Sequence, residues 1–201
     1  GEFEVSLEGE KVRRPAPGER WERWDLELTA RWDAADARLL IGGCGEGELW
    51  VHAPSLMPRA TREGGGFRPE VVELARAIEA PVVRWPGGCF ADSYQWRDGI
   101  GERDNRPVVF DVAWRQYEPN DFGTDEFVQW CGIVGAEPYL CVNTGSASAE
   151  DAAAWVQYCN GSADSEWGAR RAEASHPEPH SVKYWGIGNE MYGGGRSATS
   201  P

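Results

Sequence analysis

Residues 124–143 read TDEFVQWCGIVGAEPYLCVN. Phe127, Cys131 and Val134 recur at helical spacing behind Thr124, a residue type that caps helix N-termini, and Gly135 can close the helix. Tyr139 to Asn143 is then a short apolar run of strand length that ends on a polar amide. A helix followed at once by a buried strand is the repeating unit of a parallel α/β protein.

The same unit appears on either side. Upstream, Phe67, Val71, Leu74 and Ile78 fall on one helical face, with Pro69 in the first turn where its missing N–H does no harm, and Pro81 to Trp85 reads as a buried strand. Downstream, Ser148 and Asp151 have capping-box spacing before a helix bearing Ala152, Trp155, Val156 and Cys159, and Val182 to Gly188 is a third strand. Such alternation builds either an open doubly wound sheet or a (β/α)8 barrel. No strand leads into G-x-G-x-x-G or G-x-x-x-x-G-K-S/T, the phosphate-cradling loops of nucleotide-binding open sheets. Polar or glycine-rich residues stand instead at each strand's C-terminal end: Gly87-Gly88-Cys89, Asn143, and Asn189-Glu190. In a barrel these converge on the face where active sites are built.

Up to residue 57 the period is two. Phe3, Val5 and Leu7 alternate, as do Trp24, Leu26, Leu28 and Ala30 against Asp25, Glu27 and Thr29. Arg38 to Ile41 and Glu48 to Val51 add two short runs around the glycine-rich turn at residues 42–47. The expectation is part of an all-β sandwich or jelly roll over residues 1–57, then α/β units over 58–201, with the change at Pro58-Arg59 and Gly64-Gly65-Gly66.

A net charge of −13 and a pI near 4.7 argue against a nucleic-acid partner, because Lys and Arg supply most of the affinity for phosphate backbones. No stretch is long and apolar enough to suggest a membrane span. Eleven tryptophans read mainly as core, and the surplus suits stacking on the C–H face of a sugar. Five cysteines show neither C-x-x-C nor Cys/His zinc spacing, so free thiols are expected and no metal. The sequence opens on Gly1 without Met, so the natural N-terminus is expected upstream and the compartment stays open.

Glu190 is the sharpest chemical candidate, because the apolar strand before it would hold a carboxyl group at a barrel mouth. A glycosidic leaving oxygen needs protonation, which a glutamic acid can supply; an ordinary loop glutamate is the alternative. Asn189 can donate to one sugar hydroxyl and accept from another, or only cap a turn. Gly87 and Gly88 allow close backbone approach to a ligand, or simply a tight turn. Cys89 lies at the same mouth but has no adjacent His to activate it. His176 and His180 precede the third strand, at the end away from the mouth. Asn160-Gly161-Ser162 fits a glycosylation sequon but reads as a helix stop. The long segment Phe90 to Gly123 carries Tyr94, Trp96, Trp114, Tyr117 and several acids, a composition suited to sugar recognition.

Taken in order, Val83-Arg84-Trp85-Pro86-Gly87-Gly88-Cys89-Phe90, Trp96-Arg97-Asp98-Gly99-Ile100-Gly101, Arg106-Pro107, Phe122 to Phe127, Glu137-Pro138-Tyr139 and Lys183 to Met191 closely resemble the α-L-arabinofuranosidases of glycoside hydrolase family 51. The resemblance spans roughly Leu56 to Gly193. It implies a (β/α)8 barrel and a retaining mechanism. It also implies release of terminal α-L-arabinofuranose from arabinan or arabinoxylan, with no metal or organic cofactor. It places the acid/base on Glu190 and a ligand of the sugar 2-hydroxyl on Asn189. Gly87, Gly88 and Trp114 fall near the substrate, and Asn143, from its place at the end of its strand, is expected to bind it as well. Cys89 stands where many members carry Asn, which removes an amide from the sugar contact. Family members often form homo-oligomers and many bacterial ones are intracellular, so a cytoplasmic homo-oligomer is favoured over a secreted form.

Gly47-Glu48-Leu49-Trp50-Val51 running into Ser55-Leu56-Met57-Pro58 resembles, more loosely, the tail of a carbohydrate-binding-like sandwich inserted after the first barrel strand. The three strands would then be barrel strands two, three and four of a partial TIM barrel. The family nucleophile is a glutamate on strand seven, expected beyond Pro201, so this piece alone is expected to be inactive. The rivals are a related barrel glycosidase acting on xylan and a non-catalytic carbohydrate-binding protein.

Overall fold

The computed structural model describes residues 2–15, 17–44 and 46–191. It forms two units, divided between Pro54 and Ser55.

In the first unit β1 (Glu2–Leu7), β2 (Glu10–Pro15) and β3 (Leu39–Cys44) make an antiparallel sheet in the order β2-β1-β3. Val5 pairs with Val12 on one side and Ile41 on the other. Glu8 and Gly9 join β1 to β2, both with positive φ (42° and 82°), the geometry that matches a two-residue turn to the twist of a hairpin. Phe3 and Val5 are buried, and the Trp24 ring lies 4.3 Å from Phe3.

Two expected strands are absent. Trp24 to Ala30 keeps its alternation, since Trp24, Leu26 and Leu28 are less exposed than their neighbours, yet it pairs with no strand. Alternation shows which side chains face inward and says nothing about a ladder partner. Glu48 to Val51 is likewise irregular, with Trp50 and Val51 exposed. β2, which is rich in charge, was not anticipated. Gly42 and Gly43 lie inside β3 rather than in a turn, and Gly45 falls outside the described residues. A second sheet facing the first is not present among the described residues of this unit.

The second unit runs α1 (Arg59–Glu63), α2 (Pro69–Ile78), β4 (Val82–Trp85), a hairpin of β5 (Val109–Asp111) and β6 (Gln116–Glu118), α3 (Thr124–Val134), β7 (Glu137–Val142), α4 (Ala149–Asn160), α5 (Glu166–Glu173) and β8 (Tyr184–Ile187). Strands β4, β7 and β8 form a parallel sheet in that order, with Trp85, Leu140 and Trp185 in register across it. Pro69 opens α2, and Gly135 ends α3 with a φ of 83°. Ser148 caps α4 by accepting from the Asp151 N–H at 3.2 Å.

Thr124 is not the cap of α3, however. Gly123 holds that place, and the Glu126 carboxylate reaches back to its N–H at 2.8 Å. On α2 the buried residue is Val72, whereas Val71, Leu74 and Ile78 of the expected inner face are exposed.

The core is aromatic. Trp96, Phe127, Leu140, Trp155 and Tyr158 are at most 2% exposed, and Trp96 stacks on Trp155 with ring centroids 6.0 Å apart. Several polar groups inside it are paired, which spares them a desolvation penalty, while the buried Tyr94 hydroxyl has no partner among the described residues. Trp155 Nε1–H donates to Thr124 Oγ1 (3.0 Å), Tyr158 O–H donates to Asp125 Oδ2 (2.8 Å), and His180 Nε2 lies 2.8 Å from Asp125 Oδ1. The fully buried Arg171 of α5 donates to the carbonyls of Tyr158, Gly161, His176 and Pro177, tying α4 to the segment that enters β8. The Asn160 amide completes that tie through Val182, donating to its carbonyl (2.9 Å) and accepting from its N–H (2.8 Å). Asn160 is therefore a structural helix stop.

Candidate active site

Because β4, β7 and β8 are parallel, their C-terminal ends share one edge of the sheet. The chain leaves β4 through Pro86, Gly87 and Gly88, leaves β7 at Asn143, and leaves β8 through Gly188, Asn189 and Glu190. Val142 pairs with Ile187, so Asn143 and Gly188 depart side by side. Gly188 has a φ of 74°, and a Cβ there would collide with Thr144 Oγ1 and lie 2.6 Å from Met191 Sδ. Only glycine fits. Glu190 itself has a φ of 49°, in the left-handed region that residues with a side chain enter at a cost. Glu190 is exposed, while Asn189 beside it is only 4% exposed.

Two side chains from the other strands of the sheet grip this turn. Arg84 Nη1 on β4 donates to Asn189 Oδ1 at 3.0 Å. Cys141 Sγ on β7 lies 3.0 Å from the Gly188 carbonyl, to which its S–H donates. Burial pushes the Cys141 thiol above its ordinary pKa, against the lowering influence of Arg84, so the donor proton is retained. Asn189 Nδ2 is buried with no hydrogen-bond partner among the described residues.

Gly88 opens a short 3₁₀ turn, Gly88–Asp92, with a φ of 61°. A Cβ at Gly88 would stand 3.7 Å from Trp114 Cζ2, so the indole at the tip of the β5–β6 hairpin lies over this glycine. Trp114 is 60% exposed. Asp111 Oδ1 shapes the tip by accepting from the Ala113 N–H (2.8 Å) and the Trp114 N–H (3.4 Å). A Cβ at Gly87 would sit 3.3 Å from Arg84 Nη2, so the glycine turn also borders the arginine. The Cys89 thiol is exposed.

Asn143, expected among the sugar ligands, has its amide engaged at both ends. Nδ2 donates to Tyr94 O (3.1 Å) and Ser146 Oγ (2.9 Å), and Oδ1 accepts from the N–H groups of Gly145 (3.0 Å) and Ser146 (2.9 Å). It shapes the loop after β7. An open groove of about 500 Å³ is lined by Gln95, Arg97, Ser148, Glu150 and Trp167 among others, and includes none of the strand-end residues.

Residues 74–199 match the family model described as the alpha-L-arabinofuranosidase 1 domain. The chain belongs to the family 51 α-L-arabinofuranosidases. It is 48% identical over 128 residues to alpha-L-arabinofuranosidase C of Emericella nidulans, an alignment covering 64% of this chain and 25% of that protein. It is 48% identical to the arabinose-complexed α-L-arabinofuranosidase of Thermotoga maritima, with a TM-score of 0.64 over 68% of this chain and 28% of the other. A further arabinose-bound family 51 structure matches at a TM-score of 0.72 over 94% of this chain and 36% of its own; at 20% identity it speaks to the fold alone. The chain thus spans about a quarter of the length of the curated relatives it matches.

Arg84, Cys141 and Asp111 were not singled out in the sequence. A charge inside the apolar run Val82-Val83-Arg84-Trp85 was the available signal for the first, because an arginine in a parallel strand needs a polar partner.

Proposed function

We propose that this chain supplies the acid/base side of the active site in a retaining α-L-arabinofuranosidase, an enzyme that releases terminal arabinofuranose from arabinose-containing glycans. Glu190 is the acid/base and Asn189 a ligand of the sugar 2-hydroxyl. Gly87, Gly88, Cys89 and Trp114 border the sugar, with the Trp114 indole as a stacking face. The three parallel strands are strands two to four of a (β/α)8 barrel, and the first unit belongs to a carbohydrate-binding-like sandwich.

The observation that carries this reading is the gathering of Gly87-Gly88 and Asn189-Glu190 at one edge of a parallel sheet in a chain of this family. Apolar exposure supports the barrel. Val71, Leu74 and Ile78 on α2, and Tyr184 and Ile187 on β8, present surfaces that neighbouring βα units would cover.

In this mechanism Glu190 protonates the glycosidic oxygen while a second glutamate, from a later strand and about 5 Å away, attacks the anomeric carbon. Glu190 then accepts a proton from the water that releases the sugar. Glu190→Ala in the intact protein tests the assignment. An arabinoside with an unactivated leaving group should lose turnover by about 10²–10⁴-fold, the usual worth of general acid catalysis. A dinitrophenyl arabinofuranoside, whose leaving group needs no proton, should lose far less in its first step. Equal losses on both substrates, or none, would remove Glu190 from the acid role.

A further inference from the structure

A side-chain amide has an acceptor end and a donor end, and which end faces a ligand decides what that ligand must offer. A guanidinium carries donors only, so the Arg84 contact fixes the Asn189 amide without ambiguity. Oδ1 is taken by Arg84 Nη1 at 3.0 Å, and Nδ2 is the end left over. That end is buried and unpartnered, the condition of a donor held ready for an acceptor not yet present. Neither remaining contact competes for it. Cys141 acts on the Gly188 carbonyl, and the other hydrogen bond of the Arg84 guanidinium among the described residues runs to the Cys141 sulfur at 3.9 Å.

We infer that Arg84 is a positioning residue that locks the Asn189 amide with its N–H₂ toward the substrate, so the site selects a sugar hydroxyl that accepts a hydrogen bond beside the bond Glu190 protonates. This rests on the arabinofuranosidase reading for the identity of the sugar. The lock itself is a property of three strands. β4 brings the arginine, β8 brings the amide, and β7 holds the backbone between them through Cys141. An arginine serves better than a lysine here because its planar fork gives up less freedom per hydrogen bond.

The test is a double-mutant cycle in the intact protein, using Arg84→Met, Asn189→Ala and the pair, with 4-nitrophenyl α-L-arabinofuranoside as the probe. Arg84→Met should lower kcat/KM by about 10- to 100-fold, the worth of one well-placed hydrogen bond to the reacting sugar. The pair should be no worse than Asn189→Ala alone, and Arg84→Lys should recover part of the loss because its ammonium can still donate to Oδ1. Losses that multiply in the pair would overturn the inference, since Arg84 would then act independently of Asn189. The same four proteins are compared by thermal unfolding without substrate, which separates the two readings. If the wild-type protein cleaves no arabinofuranoside, the enzyme reading fails. A midpoint drop from Arg84→Met that vanishes in the Asn189→Ala background would still support the lock, and an equal drop in both backgrounds would overturn it.

Discussion

Replacing Glu126 by Gln should loosen the start of α3 and the loop that carries Trp114. The Glu126 carboxylate accepts from Arg106 through both oxygens (2.9 Å each), from Arg103 Nε (3.2 Å) and from the Gly123 N–H (2.8 Å). The Arg106 and Glu126 side chains are 3% and 9% exposed, so the pair is buried. Breaking a buried pair by removing one partner costs about 3–5 kcal/mol, because the other charge is left without compensation. Arg106 would keep the carbonyls of Gly101 and Asn120, which argues for the lower figure, about 3 kcal/mol. At roughly 1.4 kcal/mol per factor of ten, the Gly123 and Phe127 amides should exchange hydrogen about 100-fold faster, with little change in β7. Acid should erase the difference. Burial alone would raise the Glu126 pKa, yet the Arg106 bonds, the Gly123 N–H and the Arg103 charge together hold it below the ordinary value of 4.5. The wild-type advantage is therefore fully present above about pH 4.5 and drains away as pH falls through the lowered pKa, whereas the Gln variant has no such limb. Exchange at Gly123 within threefold of wild type at neutral pH would refute the account.

Gly188→Ala should cost more activity than its single methyl suggests, since the new Cβ meets Thr144 and Met191 and a φ of 74° is unfavourable for alanine. Steady-state assays of the intact protein should show the loss in kcat, and unchanged kcat would mean that the turn relaxes without moving Glu190. Of Cys89, Cys131, Cys141 and Cys159, Cys89 alone should react with iodoacetamide in the folded state, because the other three are buried and burial drives their thiol pKa values upward, Cys131 to about 11. Peptide mass spectrometry after brief labelling at pH 8 checks this, and early modification of Cys141 would contradict its burial against the Gly188 carbonyl.

The parallel core was legible because its signals are local. A strand of four to six apolar residues, a capping Ser148 and a closing Gly135 need no knowledge of what lies across the fold. Elements defined by long-range partners were not legible. α5, EWGARRAE, carries little apolar surface, and the burial of Arg171 depends on four carbonyls from elsewhere in the chain. Trp24 to Ala30 had the right period and lacked only a neighbour. The candidate site divides in the same way. Gly87, Gly88, Asn189 and Glu190 could be picked out where strands end, but hydropathy treats Arg84 as an interruption and Cys141 as filler.

Both of those residues bear on the strain at the turn after β8. Two left-handed residues, Gly188 at 74° and Glu190 at 49°, lie within three positions, and a side-chain-bearing residue in that region costs about 1–3 kcal/mol. Such a conformation persists only where its surroundings over-determine it. Here the carbonyl of Gly188 is held by Cys141 and the side chain of Asn189 by Arg84, so the backbone on the N-terminal side of Glu190 is fixed at two successive residues. The contribution of a net hydrogen bond is about 0.5–1.5 kcal/mol, and more where one partner is charged, so the two together are of the size needed to offset the strain. The fold thus commits one side chain from each of the other two strands of the sheet to fixing the backbone that leads into Glu190.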